Sequence, residues 1–229
     1  MTGLLLLAAT ILIYFGAKKL YRRTRSVLLS PLLTVPLLLV GLLLLLRLPY
    51  ATYMSGGQWL SDLLGPATVA LAIPIHKNMK LLKQHALEIT CAIGAGAVLA
   101  LVSSFLLAFW LHLGLQIADS MAPRSVTTPI AMAISRSLGG DPTLTAVFVI
   151  VTALVGLVAG PLLIRSMPIK SPVARGLLFG VGAHGAGTAR AFEFGELEGT
   201  FSSLAMVLTA GATLVLTPLL LPHMQSLFK

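Results

Sequence analysis

Charge is what this chain lacks most. Only 10% of its 229 residues are Asp, Glu, Lys or Arg, against roughly 25% in an average soluble domain. Hydrophobic residues make up 57% of the chain and its mean hydropathy is +0.95. A water-soluble fold of that composition would run short of polar surface, so the solvent it fits is a bilayer. Acid is scarcest: Asp62, Glu88, Asp119, Asp141, Glu193, Glu196 and Glu198 are the whole supply. Cysteine occurs once, at Cys91, which excludes an internal disulfide and a cysteine metal cage. In an apolar stretch it reads as a small core residue. There is no nucleophile elbow, no Walker loop and no His/Glu spacing for zinc. An enzyme is therefore not expected, nor a cofactor or a metal.

What charge there is sits in telling places. A net charge of +9 would suit nucleic acid if it covered a soluble face. Here the basic residues bunch at the ends of apolar runs, as Lys18, Lys19, Arg22, Arg23 and Arg25 do. Such bunching orients helices in a membrane, with the positive ends in the cytoplasm. The run from Leu4 to Phe15 is expected to be a first membrane helix and not a signal peptide, because its charge follows the apolar core and no small-residue cleavage site comes after.

Apolar runs broken by charge or by Gly and Pro predict an all-α chain. Helices are expected over 3–17, 30–48, 60–76, 87–113, 143–164, 174–192 and 200–222, joined by a polar loop at 49–58 and a basic amphipathic connector at 76–88. The stretch 119–142 reads as irregular. If it crossed the membrane, Arg165, Lys170 and Arg175 would lie outside; if it dips in and returns, they lie inside, as the positive-inside rule prefers. The expectation is a single domain over 1–229 with about seven crossings plus a re-entrant broken segment, its N-terminus outside and its C-terminus inside. The triplets 30–113 and 143–222 would then be inverted repeats, an architecture of secondary transporters. A faint echo between Leu63-Leu64-Gly65-Pro66-Ala67 and Leu177-Leu178-Phe179-Gly180 agrees with this.

Two stretches do not read as lipid-facing helix. In the first, Pro123 to Ala131, Pro129 removes a backbone donor and disfavours helical geometry at Thr128. Unwound backbone around Thr127 and Thr128 is tolerated at membrane depth only where protein or water covers it. With the hydroxyls of Ser125, Thr127 and Thr128 it would make a donor-rich site for a small anion. The plainer alternative is a proline kink. In the second stretch, Gly180 to Arg190, closely spaced glycines suit either a broken helix beside a ligand or tight helix packing. His184, Thr188, Arg190 and Glu193 follow at once, and ionisable residues in a membrane segment usually pair or line a pathway. Arg190 can offer a two-pronged donor to a carboxylate, or pair with Glu193 three residues on. His184 can relay a proton near neutral pH, or serve as a structural donor. Glu196 and Glu198 are expected in a solvated loop. Arg124 is expected to snorkel to the interface rather than to attract anions.

The motifs Ser125-Val-Thr-Thr-Pro-Ile-Ala-Met-Ala, His184-Gly-Ala-Gly-Thr-Ala-Arg-Ala, Glu198-Gly-Thr-Phe-Ser-Ser-Leu-Ala and Leu64-Gly-Pro-Ala-Thr-Val-Ala-Leu-Ala-Ile-Pro-Ile resemble the LrgB/CidB family. That family includes YohK-type bacterial proteins and the C-terminal half of the plastid glycolate/glycerate translocator. The resemblance spans nearly the whole chain and implies a multi-pass protein of the bacterial cytoplasmic membrane, a homo-oligomer with a separately encoded LrgA/CidA-like partner. It leaves two functions open: transport of small monocarboxylates such as glycolate, glycerate or pyruvate, and holin-like control of murein hydrolase export and cell lysis. Transport would use Ser125, Thr127, Thr128, Thr188 and Arg190 for the substrate, with His184 and Glu193 for proton coupling.

Overall fold

The computed structural model describes residues 2–24 and 29–226, and every regular element among them is helical. Arg25, the last of the first basic cluster, lies outside the described residues. The chain divides into two compact units, residues 1–73 and 74–229.

The N-terminal unit holds α1 (Thr2–Thr24), α2 (Pro31–Leu45), α3 (Tyr50–Asp62) and α4 (Leu64–Ala70). The segment expected as a polar loop is helical α3, and its glycines explain why. A Cβ on Gly3 of α1 would meet Gly56 N at 2.9 Å, and one on Gly56 would collide with the Gly3 carbonyl. Backbone-to-backbone approach of this kind holds helices together where no water drives them. The expected third helix is split: α3 runs to Asp62, α4 ends at Ala70, and α5 (Ala72–Lys77) carries the chain into the second unit.

The C-terminal unit continues with α6 (Met79–Gln84), α7 (Ala86–Trp110), α8 (Leu115–Met121), α9 (Thr128–Leu138), α10 (Pro142–Ser166), α11 (Pro172–Phe194) and α12 (Glu196–Gln225). Among the described residues α1, α7, α10 and α12 are long and apolar enough to cross a membrane. On α10 and α12, Val147, Leu162, Val215 and Leu219 are exposed, as lipid contact requires. Cys91 is on the outer side too, exposed rather than in the core. Two apolar clusters pin α12 at its ends. Phe201 and Ala205 pack with Ile89 and Ile93 of α7 and Val173 and Leu177 of α11, while Leu221 packs with Leu101 and Phe105 of α7 and Met121 of α8.

The stretch expected to be irregular, 119–142, holds the end of α8 and the whole of α9. Its ends meet: Asp141 N donates to Ser120 Oγ at 2.7 Å. At 11 residues, α9 is about 16 Å long, half of a ~30 Å hydrocarbon core. The segment 120–141 therefore folds back so that its two ends lie together, as the returning path expects. Gly139 ends α9 in the left-handed conformation, φ 90°, and the Asp141 carboxylate then caps α10, accepting from Thr143 N at 2.7 Å and Leu144 N at 3.3 Å. This aspartate occupies the preferred N-cap position.

Candidate functional site

Both suspect stretches are interrupted. Thr127 is extended (φ −61°, ψ 142°) and α9 begins at Thr128, so the chain opens one residue before the pre-proline position. The Thr127 side chain does not cap α9. Ser125 is buried and its Oγ has no partner. In α11, near mid-length, Ala183 (φ −139°, ψ 15°) and His184 (φ 38°, ψ −124°) leave helical geometry. A positive φ on a histidine is strained and persists only where its surroundings enforce it. The His184 ring is buried with its Nε2 unpartnered, and it hydrogen-bonds to the Val149 backbone of α10.

The glycines of this segment divide between the two roles open to them. Gly176 and Gly180 serve packing: a Cβ at Gly176 would meet Glu198 O at 2.7 Å, and one at Gly180 would meet Ala205 Cβ at 2.7 Å. That is how α11 and α12 lie against each other. A Cβ at Gly182 would meet nothing within 4 Å.

A cavity of about 680 Å³ opens among α7, α10 and α11. Its walls are mostly apolar, with Val151, Val155, Gly156, Leu163, Leu177 and Val181 among them. It touches the first interrupted stretch at Arg124 and the second at Gly182 and Ala183. Val126 and Val149 share a buried cluster with Ala210 of α12, which brings the neighbours of Ser125 and the partner of His184 together. Of the seven residues singled out by sequence, none lines the cavity itself; Ser125 and His184 are next in sequence to residues that do. Thr128 and Thr127 are partly buried. The Thr188 hydroxyl is turned to α12, 2.9 Å from Ser202 Oγ and 3.9 Å from Met206 Sδ.

Arg190 takes the pairing alternative. Its Nη1 bonds Glu193 Oε2, and its guanidinium lies over the Phe194 ring, 5.5 Å from the centroid. Glu198, expected in a solvated loop, is buried in the first turn of α12 and pairs with Arg175 at 3.6 Å. Arg124, expected at the interface, is held inside by Ser104 and Thr152. Sequence reasoning also passed over Thr209, Thr213 and Thr217, buried on α12 with unpartnered hydroxyls. Their spacing of four was the available signal, since it puts all three on one helix face. Among the described residues no cluster of His, Cys, Asp and Glu could hold a metal ion.

Helices long enough to span a bilayer, two interrupted segments, and polar groups facing inward mark an integral membrane protein. The chain belongs to the LrgB-like family, whose sequence pattern matches residues 10–223. It is 52% identical to the uncharacterized protein YwbG of Bacillus subtilis over 97% of this chain and 99% of that one. It is 34% identical to the holin-like protein CidB of Staphylococcus epidermidis, over 96% of each chain. The same identity and coverage hold for the holin-like protein CidB of Staphylococcus aureus. No solved structure matches.

Proposed function

We propose that this protein governs passage of solutes through the bacterial cytoplasmic membrane, and that the solute its own fold admits is a small monocarboxylate of the glycolate, glycerate or pyruvate kind. The observation that carries this reading is the cavity reached by both interrupted stretches. Interrupted helices free backbone donors and carbonyls at depth, and carriers use such breaks to hold solutes and coupling ions. In this reading Ser125, Thr127, Thr128, Thr188 and Arg190 contribute to the solute path, and His184 and Glu193 to proton coupling. An LrgA/CidA-like partner and self-association belong to the same proposal.

A second reading has the support of the relatives' names: a holin-like regulator of murein hydrolase export and cell lysis, as the name of the staphylococcal CidB proteins suggests. The names favour this reading over the first. It calls for a pore assembled from several copies and makes no demand on a solute-sized cavity within one chain.

Proteoliposomes separate the two. Uptake of radiolabelled pyruvate or glycolate, reduced by Thr128→Val and Arg190→Ala, is the carrier outcome. Release of large trapped dyes without saturable uptake is the holin-like outcome and ends the carrier reading. Both are to be run with and without the LrgA/CidA-like partner.

A further inference from the structure

Arg124 leaves the turn before α9 and runs between α7 and α10. Its Nε donates to Ser104 Oγ at 2.7 Å and its Nη1 to Thr152 Oγ1 at 3.2 Å. Each hydroxyl gives its own hydrogen to a carbonyl one turn back, Ser104 to Ala100 O and Thr152 to Phe148 O. Each therefore turns only lone pairs toward the guanidinium. Neutral groups fix the cation in place and leave its charge intact. Arg124 is in none of the ion pairs His85–Glu88, Arg175–Glu198 and Arg190–Glu193. Two of the five guanidinium N–H donors are used, and the residue lines the cavity.

Depth is the second observation. Ser104 lies six residues before the end of α7 at Trp110, and Thr152 ten residues after the start of α10 at Pro142. At ~1.5 Å per residue the cation sits about 9–15 Å inside those helix ends. From there the cavity continues along apolar wall to Leu163 and Ala174, toward the other ends of α10 and α11. A lipid headgroup stays at the surface and does not neutralise a charge at that depth. A small acid that enters the protein does.

We infer that the cavity binds a monocarboxylate through Arg124, with an apolar body lying against Val151, Val155, Leu163 and Val181. This rests on the carrier reading, keeps its monocarboxylate class and shifts the preferred body from hydroxylated to alkyl. One cation selects one carboxylate, since a second would be buried unpaired. Beyond Arg124 and the Thr152 hydroxyl that holds it, the lining side chains are apolar, and such walls select alkyl over hydroxylated bodies, so butyrate to octanoate binds ahead of glycolate and glycerate.

The test is equilibrium binding to the full chain in lipid nanodiscs, with radiolabelled hexanoate as probe and empty nanodiscs as blank. Competition by acetate, butyrate, hexanoate and octanoate is expected to tighten about fourfold per added CH₂; glycerate and succinate are expected to compete at least tenfold more weakly than hexanoate. Arg124→Lys weakens binding roughly tenfold, and Arg124→Gln more, through loss of charge-assisted hydrogen bonds. Should Arg124→Gln fail to fold, Gly182→Leu still tests the site. Its side chain enters open space at the cavity wall and is expected to abolish binding. Hexanoate signal equal to that of empty nanodiscs, equal competition by succinate, or unchanged binding in both Arg124→Lys and Gly182→Leu overturns the inference. Specific binding without uptake in proteoliposomes ends the carrier reading and leaves the site standing. Uptake that neither variant alters does the reverse.

Discussion

Replacing Thr209, Thr213 and Thr217 together by valine should make the protein more stable. Threonines in a membrane helix normally return their hydrogen to the carbonyl one turn back. Here Thr10, Thr90, Thr145, Thr152 and Thr200 do so, at 2.8–2.9 Å. Thr209, Thr213 and Thr217 do not; they are 1%, 0% and 2% exposed and their hydroxyls have no partner. A buried hydroxyl without a partner costs about 1–3 kcal/mol by protein mutational measure. Valine has nearly the same shape and removes that cost without opening a cavity. Taking the low end, about 1 kcal/mol per site, the triple variant gains about 3 kcal/mol. For a chain of this length each kcal/mol moves Tm by about 2–4 °C, so the expected rise is about 6–12 °C.

Fluorescence-monitored thermal unfolding of the purified protein in one detergent measures this directly. A triple variant that melts at or below the parent temperature refutes the reasoning: the hydroxyls would then be satisfied, by water or by each other. The same variant carries a functional expectation. A polar face kept at a stability loss is retained for use, so stabilisation should come with reduced uptake in the proteoliposome assay. Neighbouring turns couple, which makes the three single variants worth measuring beside the triple.

Gly56→Ala should destabilise the N-terminal unit by about 1–3 kcal/mol or more, because its Cβ would collide with backbone of Gly3; limited proteolysis at 29–50 should accelerate, and Gly41→Ala, with nothing within 4 Å, should not change it. In a Cys91→Ala background, cysteines at Ile117 and Thr143 should react with a membrane-impermeant reagent from the same side, since Ser120 and Asp141 are joined. Labelling from opposite sides would contradict the returning path of 122–140.

Much of the architecture was readable because apolar runs leave few choices. The predicted helix at 87–113 is α7 at 86–110, that at 143–164 is α10 at 142–166, and that at 200–222 is α12 at 196–225. The two interruptions were readable for a local reason: Pro129 and the close-set glycines weaken a helix by their own chemistry. Their positions were less so, because the α11 break falls on Ala183 and His184, enforced by surroundings rather than by glycine. The helix at 50–62 was missed because polar residues and glycines look like a loop until the partner backbone at Gly3 is known. Long-range pairings were out of reach altogether. Nothing local marks Glu198 as Arg175's partner, or Ser104 and Thr152 as the two hydroxyls that hold Arg124.

The scarcity of acid has its consequence at that last site. Asp62 accepts from Gln58 and Asp119 from Gln225; Asp141 caps α10; Glu88, Glu193 and Glu198 pair with His85, Arg190 and Arg175. Glu196 is exposed in the first turn of α12, where a carboxylate complements the helix dipole. Each of the seven acids is thus engaged or exposed, and none is beside Arg124. A cation at membrane depth is expensive unless something neutralises it. An internal carboxylate would have removed that expense and also weakened the affinity for a carboxylate from outside. Arg190, with Glu193 beside it, is the protein's example of the first arrangement; Arg124, steadied by two hydroxyls that carry no charge, is its example of the second. The same difference makes a sharp comparison. Glu196→Gln, at an exposed acid outside the cavity lining, should leave hexanoate binding in nanodiscs unchanged. Thr152→Asp, which sets an acid against the Arg124 guanidinium, should abolish it, and binding that survives Thr152→Asp would mean the charge of Arg124 is not what holds the ligand.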